Sequence, residues 1–134
     1  IAGLRGPFEL TEDLSEWNYG AYEGRTTDQI RRTVPDWTVW THPCPNGETP
    51  EQVATRADAL IAKTAQGGGH YAFISHGHFL RVLAARWLRE PPELGRHLIL
   101  DAASFAVLGF EHGERAIKSW NVVPPLCTSP KPAA

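Results

Sequence analysis

Apolar residues along this chain recur with two spacings, and each predicts an element. After Thr49, residues Val53, Ala57, Leu60 and Ile61 fall on one helical face, which predicts an amphipathic helix packed on a sheet. Its start is marked by Thr49-Pro50-Glu51-Gln52: a capping threonine, a proline at the first helical position, and a glutamine three residues after the cap. Gly67-Gly68-Gly69 ends it. Thr26 with Gln29 repeats the capping pattern and opens a short helix through Ile30 and Arg31, stopping near Val34 ahead of Pro35. Tyr71-Ala72-Phe73-Ile74 is too short an apolar run for a helix and predicts a buried strand. Beyond Ser75-His76-Gly77 the spacing is helical again, through Phe79, Leu80, Val82, Leu83, Trp87 and Leu88. Residues 89–95 read as a loop. Residues 103–110 and 115–120 read as two strands around a turn at His112-Gly113. Residues 10–14 suggest a short strand end, and 98–100 a short strand or extended segment.

This alternation of helices and strands describes one α/β domain over residues 1–121, followed by a proline-rich, poorly ordered tail over 122–134. Charge and hydropathy narrow the function classes. The formal net charge is −2, so the total supports no basic face for nucleic acid. No apolar run approaches the roughly 20 residues of a membrane span. The two cysteines, Cys44 and Cys127, do not make a disulfide framework and fit a reducing cytoplasm.

The chemistry gathers at two stretches. The strand–turn–helix unit puts His76 at the carboxyl end of a strand and the amino end of a helix, where ligands of open α/β sheets bind. Free N–H groups there suit a phosphate, and Gly77 lets a ligand approach the backbone. The second stretch, residues 14–25, sets Glu16 and Glu23 among Trp17, Tyr19 and Tyr22, which suits either a pocket wall or a packed surface loop. Phosphoryl transfer needs positive charge, an in-line nucleophile and a proton for the leaving oxygen. His76 and the helix end can supply the charge, and Glu16 or Glu23 the proton. His76 with His78, and His42 with Cys44, are also metal-like pairs. Neither pair has further ligands nearby in sequence, and His78 reads more simply as a residue that packs or caps the helix start.

These residues carry a family resemblance. Ser75-His76-Gly77-His78-Phe79-Leu80-Arg81, together with Leu14-Ser15-Glu16-Trp17-Asn18-Tyr19-Gly20 and Glu23-Gly24, resembles the histidine phosphatase superfamily in its phosphoglycerate-mutase-like branch. Gly47-Glu48-Thr49 and Leu100-Asp101-Ala102-Ala103-Ser104 look like the same family. Within it, the Ser-His-Gly-His-Phe-Leu-Arg version is most similar to small bacterial acid phosphatases and sugar-bisphosphate phosphatases. The resemblance implies a three-layer sandwich with a mostly parallel central sheet and a terminal antiparallel hairpin. It implies a phosphohistidine mechanism on a small phosphorylated metabolite, without metal or organic cofactor. His76 would steady the transferring phosphoryl group and Glu16 would protonate the leaving oxygen. Tyr19 would line the pocket, Gly77 would offer its N–H to phosphate, and Ser104 would help close the site. A mutase, or an inactive phosphate-ester-binding module, would use the same residues.

The family's Arg-His-Gly nucleophile motif, which lies on its first strand, is absent from these residues. The nucleophile is therefore expected outside this chain, with the first strand missing or its place filled by a second copy in a homodimer. Glu111-His112-Gly113 lacks the arginine, follows His76, and reads as a turn.

Overall fold

The computed structural model describes residues 8–124. Three helices and one hairpin form the frame: α1 (Thr27–Arg31), α2 (Pro50–Gly67), α3 (Gly77–Trp87), and the strands β1 (Phe105–Glu111) and β2 (Glu114–Val122). Short 3-10 helices occupy Glu12–Leu14, Gly20–Tyr22 and Pro92–His97.

Local chemistry starts α1 and α2 where the sequence places them. The Thr49 hydroxyl accepts the Gln52 N–H and the Gln52 side chain accepts the Thr49 N–H, so α2 opens with a complete capping box. Thr26 and Gln29 do the same for α1, which Ile30 pins into the core. The expected face of α2 is the buried one: Val53, Ala57, Leu60 and Ile61 are almost inaccessible to solvent. They meet Phe79, Val82 and Leu83 of α3 in a core that also takes Trp17, Trp37 and Trp40. Fully burying one such side chain stabilises the fold by about 1.5–3 kcal/mol. Gly68 and Gly69, at positive φ, end α2.

The hairpin turns on His112 (φ 50°) and Gly113 (φ 87°), a two-residue loop whose positive φ values match the twist of antiparallel strands. Trp87, the last residue of α3, fastens the hairpin. Its indole N–H points at the Gly109 and Ala116 carbonyls at 3.2 and 3.1 Å. The Arg115 guanidinium lies over the same ring.

The α/β class and the terminal hairpin form as expected. The strand expected at residues 71–74 does not. That stretch carries no ladder, and Tyr71 and Ile74 are 51% and 79% exposed. An apolar run expresses a preference for burial, but a strand needs a neighbour to take its N–H and C=O groups. Among the described residues the only sheet is the β1–β2 pair, so the parallel central sheet is not assembled there. Residues 10–14 form a 3-10 turn instead of a strand end, because the Thr11 hydroxyl captures the Asp13 N–H. Residues 98–100 join no strand ladder. β2 runs through Val122, and residues 125–134 of the expected tail lie outside the described residues.

Candidate active site

Helix α3 begins with its first N–H groups facing the 14–19 loop. The Ser75 hydroxyl donates to the Leu14 carbonyl at 2.6 Å and ties the turn to that loop. His76 is the N-cap residue, in extended backbone with φ −114°. Its imidazole makes no capping bond and is exposed to solvent. Gly77 opens the helix, and a Cβ built there meets nothing within 4 Å. Its hydrogen therefore leaves open space beside the backbone on the side a ligand would approach.

Glu16 closes this helix end from across the chain. One carboxylate oxygen accepts the Phe79 N–H at 2.9 Å and the other accepts the His78 N–H at 3.3 Å. The Trp17 N–H adds a third bond at 3.0 Å. An anionic side chain on a helix amino end satisfies donors that have no partner within the helix and meets their partial positive charge.

What holds Glu16 there is a clamp that the sequence reading missed. Arg56, from α2, donates to the carbonyls of Asp13 and Ser15 at 2.8 and 3.2 Å. It also forks onto the Glu48 carboxylate at 2.7 and 2.9 Å, and its guanidinium lies 4.9 Å from the centre of the Phe79 ring. Glu48 in turn accepts the Asn18 N–H at 2.9 Å, while its own carbonyl accepts the Trp17 indole N–H at 2.9 Å. Arg56 looks in sequence like any polar residue on the outer face of an amphipathic helix. Nothing local announces that the carbonyls it gathers, those of Asp13 and Ser15, lie 43 and 41 positions away.

Burial alone would raise the Glu48 carboxyl. The bonds from Arg56 and from the Asn18 N–H outweigh it and hold the group below its ordinary 4.5. A carboxyl lowered on folding adds stability above its unfolded pKa, and that stability is lost as pH falls through the folded value. Glu48→Gln therefore costs about 2 kcal/mol near neutral pH, because it leaves a half-buried guanidinium short of its counter-charge. The difference between wild type and variant narrows below pH 4.5. Urea midpoints measured from pH 7 to pH 3 check this; parallel acid limbs for the two proteins would refute it.

Tyr19 and His78 form the next layer. The Tyr19 hydroxyl lies 2.6 Å from His78 Nδ1. Burial, with the charges of Glu16 and Glu23, pushes the Tyr19 hydroxyl well above its ordinary range. Burial lowers His78, against the pull of Glu16 and with a push from Arg81. A hydroxyl that keeps its proton beside an imidazole that resists one makes Tyr19 the donor and Nδ1 the acceptor. His78 thus packs at the helix start, as its position suggested, and serves the site as well. Its ring meets Trp40 edge-on at 5.4 Å and Tyr19 at 5.8 Å.

Beyond Tyr19 and His78 opens a cavity of about 460 Å³, walled also by Tyr22, Trp37, Trp40, Arg25 and Arg31. The loop before it depends on Gly20, at φ 54°. There a Cβ would fall 2.2 Å from the Pro45 carbonyl oxygen.

Of the expected site residues, Glu16, His76, Gly77 and Tyr19 converge on the amino end of α3. Ser104 is occupied in its own turn, where its hydroxyl donates to the Asp101 carbonyl at 2.7 Å. His42 is bonded to the Thr41 hydroxyl, and Cys44 is buried. His112 sits exposed at the hairpin tip. No group of three or more His, Cys, Asp or Glu able to hold a metal ion occurs among the described residues. No helix there is long and apolar enough to cross a membrane.

Comparison with known proteins bears on this geometry. Residues 1–123 match the histidine phosphatase superfamily (branch 1). An acid phosphatase of Mycobacterium tuberculosis is 46% identical over 111 residues, covering 81% of this chain and 55% of that protein. A sedoheptulose 1,7-bisphosphatase of Saccharomyces cerevisiae is 36% identical over 95 residues, covering 58% and 35%. This chain spans about half the length, or less, of these relatives. Among solved structures, the product of the open reading frame Rv3214 from Mycobacterium tuberculosis superposes with a TM-score of 0.77 at 42% identity, over 84% of this chain and 60% of that one. The alpha-ribazole phosphatase of Shigella flexneri, at 21% identity and a TM-score of 0.70 over 89% and 64%, shares the fold.

Proposed function

Because this chain belongs to the histidine phosphatase superfamily (branch 1), we propose that it forms the phosphate-gripping and proton-donating part of a phosphatase for small phosphate monoesters. The observation that carries the reading is the Glu16 carboxylate bonded to the amino end of α3, one turn from His76 and Gly77. A phosphate needs a free N–H at a helix amino end, and Glu16, which takes those of His78 and Phe79, leaves that of Gly77. A leaving alcohol needs a proton from a group beside it. Both are met within one helical turn. In this reading the Gly77 N–H and the His76 imidazole bind the phosphoryl oxygens, Glu16 protonates the leaving oxygen and then activates water, and Tyr19 borders the alcohol. The phosphoryl acceptor is a histidine outside the 134 residues. The substrates are small phosphorylated metabolites, and the ordinary composition and charge suit a cytoplasmic enzyme.

Glu16→Gln tests the proton-donor role. An alkyl phosphate, whose leaving oxygen must be protonated, should be hydrolysed about a hundredfold more slowly by the variant. p-Nitrophenyl phosphate, whose leaving group needs little help, should lose far less. The assay uses the protein that carries the phosphoryl-accepting histidine, with EDTA present. Equal slowing of both substrates would remove Glu16 from that role. Retained phosphate-ester binding with no turnover by a wild-type protein that carries that histidine would make the chain a binding module.

A further inference from the structure

Resting on the phosphatase reading above, we propose that the cavity beside Tyr19 and His78 receives the organic part of the substrate, and that this part carries a flat, unsaturated ring. The cavity's position argues first. Tyr19 and His78 are shared between its wall and the start of α3, where His78 N–H binds Glu16. A phosphoryl group held at Gly77 therefore directs its alcohol towards this opening. Neither Glu16 nor His76 lines the cavity, so its walls select the alcohol and leave the reacting end alone.

The walls argue for the class of alcohol. Tyr22 and Trp37 stand edge-to-face at 5.5 Å, and Trp40 meets His78 in a similar way at 5.4 Å. These rings are already set at the angles that a third ring prefers, so it can join with little rearrangement. The Arg25 guanidinium lies 5.5 Å from the centre of the Tyr22 ring, and Arg31 is held by its Nε bond to the Trp37 carbonyl. Among the described residues no carboxylate pairs with either arginine. With Glu23 the one carboxylate in the wall, the two guanidinium groups leave an excess of positive charge there, which attracts the face of an aromatic ring. A volume of about 460 Å³ lies within the range of small-molecule pockets and holds one ring with its substituents.

The test is titration calorimetry of the full chain with phosphonates, which cannot be hydrolysed: 2-phenylethylphosphonate, propylphosphonate, and 2-phenylethanol as the ring without the anion. The ring should tighten binding about tenfold over the propyl compound, the size of effect that well-placed aromatic contacts supply. Tyr22→Ala should shrink that ratio below about twofold, and Tyr22→Phe should keep it, because the ring and not the hydroxyl makes the contact. Equal affinity of wild type for the two phosphonates overturns the proposal and leaves the phosphatase reading in place. Binding of 2-phenylethanol with no gain from the phosphonate group supports the ring cavity and overturns the phosphate seat at α3. Failure of all three compounds overturns both. The ratio is read on wild type, so the conclusion survives even if Tyr22→Ala fails to fold.

Discussion

Replacing His76 by alanine lowers phosphate-ester turnover about a thousandfold and changes folding stability by less than about 0.5 kcal/mol. The two halves of this expectation come from different observations. The imidazole is exposed and does not cap α3, and its backbone is extended, which alanine adopts freely. Stability therefore has little to lose. Turnover has much to lose, because in the proposed phosphate seat a side chain at the helix amino end faces the charge that develops on phosphoryl oxygens. There a preorganised donor acts only when the charge appears. The measurement is kcat/KM on p-nitrophenyl phosphate with EDTA, made on the protein that carries the phosphoryl-accepting histidine, beside thermal melts of both proteins. Equal kcat/KM for variant and wild type would take His76 out of the mechanism. A large fall in melting temperature would mean that a structural role had been mistaken for a chemical one.

Phe79→Ala costs about 4 kcal/mol of stability, at the upper end of what removing a core aromatic does. The Phe79 side chain is completely inaccessible to solvent, at the junction of α2, α3 and the 14–19 loop. Its ring supports the Arg56 guanidinium, and its backbone N–H binds Glu16. Truncation leaves a void under the clamp that holds the Glu16 loop. Domains of this kind are stable by roughly 5–15 kcal/mol, so the variant sits close to the edge of folding. Phe79→Leu keeps most of the volume and should cost less than about 1.5 kcal/mol. Urea unfolding of both variants is the check. An alanine variant no weaker than the leucine variant would show that the site collapses without a cavity, and that the clamp does not need the ring.

The helices and the hairpin were legible because their causes are local. The capping box at Thr49 is complete within four residues, and the buried face of α2 is visible in its spacing. The turn at His112-Gly113 follows from the φ values its residues accept. The candidate site was half legible. The motif around His76 and Gly77 carries its own strand-to-helix logic, and Glu16 stands in a loop of unusual aromatic density. His78 was legible as a packing residue, but not as the hydrogen-bond partner of Tyr19. Glu48 was legible only as part of a family motif, and Arg56 was silent, because a guanidinium that gathers backbone carbonyls leaves no periodic trace.

By itself, then, the sequence determined where α1 and α2 begin, which face of α2 turns inward, and which chemistry stands at the start of α3. Each depends on interactions among residues a few positions apart, whose geometry the backbone dictates. Only the tertiary structure decided that Glu16 lies on the helix end, that Arg56 holds the loop bearing it, and that residues 71–74 stay unpaired. Those outcomes depend on which groups meet across long stretches of chain. A hydrogen bond gains only about 0.5–1.5 kcal/mol over the water it replaces, so the partner it finds is settled by the packing of the whole.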